Sequence, residues 1–542
     1  MSDDNINNIA DEVEETKNKS TLAADSNKKK VGSEVDQKPK YTFEQLKAAY
    51  YHNEYGDADI AVPLFRNRFV RDNTTGIFYE FTKHRWHECK NREHEAAFRE
   101  VADIYSHAAV ECGKRAKEAE AGDDIDTAMR EKKWQKNFND RAWKLRGSAR
   151  PASVLNKATA GPMSLGVSGE NWNLNASLLP AANGVIDLET GKIRDGKYDD
   201  FFFHGSPIEY KGFNFGSSFV DNFISQLLCG HKELIEYFKL LIGFACTGIQ
   251  TKDFFVMFGP LGNNGKSVLF DWISYVLGGF ASAIPVEMIY EDRFGKDPDK
   301  PSPQLLNLRG LRLAVMSEPA SNKRLSTSKL KFLTSGSDKI AARNLNEKKI
   351  ISFWPTHTLI MHGNEVPRVV GHQGPFYDRL NLIPFRARFT RDDSEVDEAN
   401  HIYKQLPRAE MDALLRQHDS EMLSFLVRCA KKALALGDMP SAPDIVKDET
   451  AAFRDEEDLV GRFLKICTAP NILWEEPAKE IYASFTYYCH EELGLNSKQT
   501  PSQKAIAADL RAQPHIERIQ GRTISYKGLK IIDEWRAPAD FK

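Results

Sequence analysis

The chain is poor in cysteine and never pairs it closely. Its seven cysteines, Cys89, Cys112, Cys229, Cys246, Cys429, Cys467 and Cys489, are scattered over 542 residues. No two form a C-x-x-C arrangement, which argues against a disulfide framework or a zinc ribbon and fits a reducing cytoplasm. The sequence also lacks a secretory leader and any apolar run long enough to cross a bilayer, so no membrane partner is expected. Neither sign of charge is in excess: 74 Lys and Arg face 77 Asp and Glu, a formal net charge of −3. A surface that binds polyanions therefore has to be local. What remains is a globular composition, 41% apolar and 28% charged. A chain of this length calls for roughly two to four domains.

The most informative stretch is DFFVMFGPLGNNGKSVLFDWISYVLG, residues 253–278. An apolar run, Phe254 to Phe258, is short enough for a buried strand. Val268, Leu269, Trp272, Ile273, Val276 and Leu277 then recur at helical spacing, and Gly278-Gly279 stops the pattern. Between them lies a glycine-rich turn. Strand, turn and helix in that order suit a phosphate-binding loop. Gly262, Asn263, Asn264 and Gly265 would curl backbone N–H groups around phosphate oxygens, helped by the positive end of the helix. Lys266 would reach the outer phosphates of a nucleotide such as ATP, and Ser267 would bind Mg²⁺. The spacing departs from the common G-x-x-x-x-G-K-[ST] form. Gly259 lies one residue too far back, and Pro260 stands where the first glycine belongs.

Three further apolar runs follow in an order that suits a nucleotide hydrolase. Leu311 to Met316 reads as a strand that ends at Ser317-Glu318, so the Glu318 carboxylate can polarise a water or share the metal. Ser317 occupies the place where many such enzymes carry aspartate. Thr358 to Met361 ends at His362-Gly363-Asn364, and Asn364 can hydrogen-bond a terminal phosphate or its water. Asp378-Arg379 precedes the run Leu380 to Phe385, and Arg379 has the position of an arginine finger. Residues 339–354 read as two strands with Lys348 and Lys349 near the tip. Lysines there suit a solvated hairpin or contact with nucleic-acid phosphates.

The rest of the chain is organised around this core. Residues 1–40 are polar and read as a disordered tail, with Lys28-Lys29-Lys30 a solvated charge run. Residues 67–88 read as two strands and a turn, and 93–148 as charged helices broken near 119–126. His84, His87, Cys89 and His94 are dense in sequence, but strand alternation does not converge them on a metal. Asp57-Ala58-Asp59 mimics paired catalytic acids, but the reading places it in a polar turn after Gly56. NGVIDLETGKIR, 183–194, is a compact hairpin. Residues 417–437, 456–468, 477–492 and 502–512 read as helices, and 516–532 as a terminal strand pair. Arg511, Arg518, Arg522 and Lys527 in this last part could face phosphates.

The order GPLGNNGKS, RLAVMSE, basic hairpin, TLIMHGN, YDRLNLIPF resembles the superfamily 3 helicases, AAA+ motors of small viruses, phages and mobile elements. It is most similar to the branch of poxvirus and satellite-phage primase-helicases, whose loop ends G-x-N-G-K-S. Gly262, Asn264, Gly265, Lys266 and Ser267 match that ending. NGVIDLETGKIR resembles the segment that precedes the motor in this branch, and FRDEEDLVGRFLK, 453–465, resembles the one that follows it. The resemblance implies an α/β fold with an AAA+-type parallel-sheet core over 251–395. An N-terminal α+β domain over 41–250 would precede it. A helical extension over 396–470 and a winged-helix module over 471–542 would follow.

The resemblance also implies a homo-oligomer, usually a hexamer, with ATP and Mg²⁺ between subunits. Lys266 and Glu318 would act in cis and Arg379 from the neighbour, while Lys348 and Lys349 point into a pore against single-stranded or forked DNA, moving 3′ to 5′. A primase is expected on a separate chain. The alternatives are a bifunctional primase-helicase, an origin-binding initiator and an AAA+ protein remodeller. The basic hairpin disfavours the remodeller.

Overall fold

The computed structural model describes residues 41–259, 262–291, 302–319, 323–336, 338–345, 349–366, 368–369, 374–496, 500–538 and 541. The expected tail over 1–40 with its lysine run, Pro260, and Lys348 lie outside the described residues. The described chain divides into two compact units, one made of 41–66 and 95–164, the other of 67–94 and 165 onward.

The first unit is helical. Phe43–Tyr51 and Asn53–Phe65 accompany a long pair, Phe98–Ala121 and Ile125–Leu145, followed by Ala149–Ala158. The long pair breaks at Gly122-Asp123-Asp124, where Asp123 has a φ of +55° and Asp124 accepts from the Thr127 N–H at 3.0 Å. An aspartate at that position satisfies an N–H the helix leaves free. Asp57 is fully buried inside helix Asn53–Phe65 rather than in a turn. Its carboxylate accepts from Tyr105 Oη at 2.8 Å, Arg141 Nη1 at 2.7 Å and Arg150 Nε at 2.7 Å. A buried carboxylate needs such partners, so Asp57 ties the helices together.

The second unit opens with a small sheet. Phe69–Asp72, Phe78–Thr82 and Arg85–Glu88 pair antiparallel, and Gly166–Val167 adds in parallel beside the first strand. Where the sequence suggested two strands there are three, because Lys83 turns the chain with a φ of +58°. The expected hairpin at 183–194 joins Gly184–Asp187 to Ile193–Arg194, and Asp187 Oδ1 accepts from the N–H groups of Glu189 and Thr190 at its turn.

The core is a five-stranded parallel sheet. In chain order its strands are β1 (Phe254–Phe258), β2 (Ala281–Ala283), β3 (Leu313–Ser317), β4 (Thr358–Gly363) and β5 (Leu380–Pro384). They lie side by side as β5-β1-β4-β3-β2. β1, β4 and β5 are mostly apolar and buried almost throughout, as strands covered on both faces must be, with Asn381 the polar residue inside β5. Helix α1 (Lys266–Leu277) follows β1 and buries Leu269, Trp272, Ile273, Val276 and Leu277.

Arg312, just before β3, is fully buried, and backbone carbonyls hold its guanidinium. It donates to the carbonyls of Cys246 at 2.7 Å and of Asn175 and Leu178 at 2.8 Å, and its guanidinium lies 4.2 Å from the centre of the Phe280 ring. One apolar cluster runs from Leu178 through Phe238, Phe255 and Ile273 to Val446. A boundary at 250 therefore cuts through a shared core. The sequence pattern changes there, but the packing does not.

After the sheet come helices Arg408–Gln417, Asp419–Leu436 and Asp444–Glu457. The chain then runs helix Leu459–Cys467, strand Thr468–Pro477, helices Ala478–Glu491 and Gln503–Ala512, and strands Glu517–Gln520 and Ile524–Ile531. Ile524–Ile531 lies between the other two strands, antiparallel to both. The sequence reading assigns no element between the helices at 456–468 and 477–492, where the structure has the strand Thr468–Pro477.

Candidate active site

The loop between β1 and α1 is shaped by a close approach. The Phe385 N–H donates to the Phe258 carbonyl at 2.7 Å, drawing the end of β5 against the start of the loop. A Cβ on Gly259 would stand 2.5 Å from the Phe385 carbonyl oxygen and 2.1 Å from Asn264 Nδ2, so only glycine fits. The glycine that broke the common spacing thus has its own steric reason. Gly262, Asn263 and Gly265 all have positive φ, at +64°, +43° and +77°. Successive residues of this kind turn backbone N–H groups toward one concavity.

Asn264 organises the loop from inside. Its Nδ2 donates to the Gly259 carbonyl at 3.1 Å, and its Oδ1 accepts from Lys266 Nζ at 2.6 Å. Both side chains are buried. Burial draws the Lys266 ammonium down to about 8, with the charge of Glu318 pulling the other way. A buried cation held by an amide, on a cleft wall, is suited to meet an anion.

The cleft beside it measures about 350 Å³. Asn263, Asn264, Gly265, Lys266 and Ser267 line it from the loop, Glu318 from the end of β3, and His362, Gly363 and Asn364 from the end of β4. All of these arrive at the carboxyl edge of the parallel sheet, where α/β folds bind ligands. Glu318 is exposed and has a φ of +53°, and its N–H donates to the His362 carbonyl at 3.2 Å. A left-handed glutamate is strained, and such strain collects at functional sites. Ser317, also exposed, pairs with His362 and is not among the residues that line the cleft.

His362 stacks on Phe270 at 5.7 Å with the rings 4° apart. Burial, then the charge of Lys266, lowers its affinity for a proton, so it faces the cleft as a neutral imidazole at neutral pH. Ser267 and Glu318 supply one hydroxyl and one carboxylate to the same cleft, a donor set that fits a hard cation which keeps several waters. Among the described residues no three His, Cys, Asp or Glu side chains converge on a metal position. His94, one of the dense histidines of the first strands, instead stacks on Phe78 at 4.0 Å.

Two predicted residues stand apart from the cleft. Arg379 precedes β5, at the opposite edge of the sheet. A strand of five residues separates those edges, roughly 16 Å at strand rise. It does not line its own chain's cleft. Lys349 is exposed, and its Nζ donates to the Asn73 carbonyl at 2.7 Å. The strands below it, Ile340–Ala342 and Ile351–Phe353, pair antiparallel.

The far wall of the cleft went unnoticed in the sequence. Phe223, Phe389, Leu406 and Met411 make it apolar, with Gln405, Arg391 and Arg408 among them. Arg408 is held by Asp412 at 3.0 Å and Asp271 at 3.2 Å. Residues 386–411 carry no motif and no sustained periodicity. The short parallel pair Arg388–Thr390 and Ile402–Lys404 helps to order them there.

Residues 58–232 match the family described as D5 N terminal like. A protein named Putative helicase in Acanthamoeba polyphaga mimivirus is 27% identical over 328 residues, 58% of this chain and 32% of its own. One of the same name in Invertebrate iridescent virus 6 is 27% identical over 275 residues, 48% of this chain and 28% of its own. A third, in Sputnik virophage, is 26% identical over 253 residues, 46% of this chain and 30% of its own. The chain thus spans about a third of the length of the curated relatives it matches. Among solved structures, the apo C-terminal region of NrS-1 aligns with 58% of this chain and 76% of its own, at 14% identity and a TM-score of 0.32, too slight to argue from. Among the described residues no helix is long and apolar enough to cross a membrane. A D5 N terminal like segment over 58–232 and matches to proteins named as helicases make this chain similar to those proteins of two viruses and a virophage.

Proposed function

We propose that the chain is an ATP-driven DNA helicase of the AAA+, superfamily 3 kind, serving replication of a virus, phage or mobile element in the cytosol. The observation that carries this is the cleft in which the buried Lys266 meets Ser267, Glu318 and Asn364. Backbone N–H groups of 262–267 and the Lys266 ammonium would hold the triphosphate, while Glu318 and Asn364 orient the attacking water. Ser267 and Glu318 would hold Mg²⁺, which supplies charge neutralisation of the phosphates.

Arg379 is too far from its own loop to reach that phosphate, so its role as a finger requires a neighbouring subunit. This supports a ring, with six copies the family's usual number, and with Lys348 and Lys349 turned to one DNA strand moving 3′ to 5′. The terminal order of helix, strand, two helices and two strands supports a winged-helix module. Any primase would act from a separate chain. Imaging with a non-hydrolysable ATP analogue and forked DNA, beside a fork-unwinding assay, tests the reading. Rings on DNA with ATP-dependent unwinding are expected; a chain that hydrolyses ATP fully as a monomer would overturn it.

A further inference from the structure

At the edge of the sheet away from the cleft, Arg379 belongs to a polar group whose other members no step above uses. β5 pairs with β1 in the register Leu380 to Phe254, so Arg379 and Asp253 are cross-strand neighbours one position before it. The Phe254 N–H donates to the Arg379 carbonyl at 2.8 Å and fixes that register. Asn381, on the other side of Arg379, is buried. Its Nδ2 donates to the Arg379 carbonyl at 3.2 Å and its Oδ1 accepts from Tyr237 Oη at 3.0 Å. Nη1 of Arg379 is buried and has no hydrogen-bond partner among the described residues.

We infer that Asp253 is a positioning residue for Arg379, holding its guanidinium at the sheet edge in the posture from which it reaches a nucleotide bound by the adjoining subunit. This rests on the shared-site reading given above. Strand pairing sets the Arg379 backbone, and Asn381 fixes its carbonyl, but neither restrains a long flexible side chain. The carboxylate one strand away supplies an opposite charge to steer it. Burial and the neighbouring Asp438 push the Asp253 carboxyl up to about 6, against Arg379 and the Asn381 amide, so it stays ionised at neutral pH. A half-buried carboxylate is costly to keep in this place. An arginine with an unused donor beside it gives it a purpose.

The test is subunit mixing with the full chain. Asp253→Asn should lower kcat on the order of tenfold or more and leave KM for ATP unchanged, because only the orientation of a remote group is lost. Asp253→Glu, which keeps the charge, should recover most of the turnover. Mixed with Lys266→Ala, Asp253→Asn should regain activity. Sites that pair its intact phosphate loop with the other chain's well-held Arg379 would be complete. Mixed with Arg379→Ala, it should regain none. If Arg379→Ala complements Lys266→Ala but Asp253→Asn does not, or if Glu is no better than Asn, Asp253 acts on its own chain and the inference falls. If Arg379→Ala itself never complements, the shared site fails instead.

Discussion

Lys266 donates its ammonium to the side-chain carbonyl of Asn264, two residues back, at 2.6 Å, and both are buried. The loop therefore carries a neutral crutch for a cation that burial has already brought near its titration point. Binding of nucleotide should weaken as pH rises through about 8, since the deprotonated amine no longer attracts phosphate. Titration with a fluorescent ATP analogue from pH 7 to 9 should show a single-proton dependence. Lys266→Met should remove it, together with ATP turnover.

Gly259→Ala tests the close approach behind the loop. The added Cβ collides with the Phe385 carbonyl and with Asn264, so the hydrogen bond that holds Lys266 has to break. A loss of ATP turnover of about 100-fold is expected, with a far smaller change in melting temperature than a core truncation brings. Asn264→Ala should show a milder form of the same defect.

His357 is fully buried just before β4, and burial pushes its imidazole down to about 4. Its folded affinity for a proton is below that of the unfolded chain. The stability it permits is present above about pH 6.5 and is lost as pH falls toward 4. The expected cost from this group is about 2 kcal/mol at pH 5. Thermal unfolding of the parent and of His357→Phe at pH 7.5 and 5 measures it. A parent no more acid-sensitive than the variant would contradict the assignment.

Arg312→Met should destabilise the fold by about 3 kcal/mol, because it leaves buried carbonyls without a donor. Arg312→Lys should recover little, since a single ammonium cannot span the separate acceptors that the planar fork reaches. Urea unfolding followed by tryptophan fluorescence would report both.

Lys348→Ala combined with Lys349→Ala should spare basal ATP hydrolysis and abolish unwinding of a fork. Lys349 is exposed and stands outside the cleft. Equal unwinding by the variant and the parent would remove the hairpin from the DNA path.

The apolar strands and the glycine-rich turn were legible because burial on both faces leaves a continuous run, and because a phosphate loop needs its own residue types at fixed spacing. β2 was not legible: Ala281-Ser282-Ala283 is three small residues, and only the neighbouring β3 makes them a strand. Thr468–Pro477 has a proline at position 470 and one at its end, and its exposure does not alternate, so nothing local marks it. The far wall of the cleft comes from Phe223 and from residues 389–411, sequence-distant stretches that only the tertiary fold brings together. Asp57 shows the opposite error: a polar stretch read as a turn is a helix, because Arg141 and Arg150, far along the chain, neutralise the buried acid.

The grip of Arg312 on Asn175 and Leu178 bears on how such chains can be reshuffled between genomes. A crossover near residue 250 would leave the sheet without the residues that pack against one of its faces, and would strip the Arg312 guanidinium of its carbonyl acceptors. Exchange that preserves a working enzyme has to carry residues from about 175 onward as one inheritable block, even though the conspicuous motifs begin some 80 positions later.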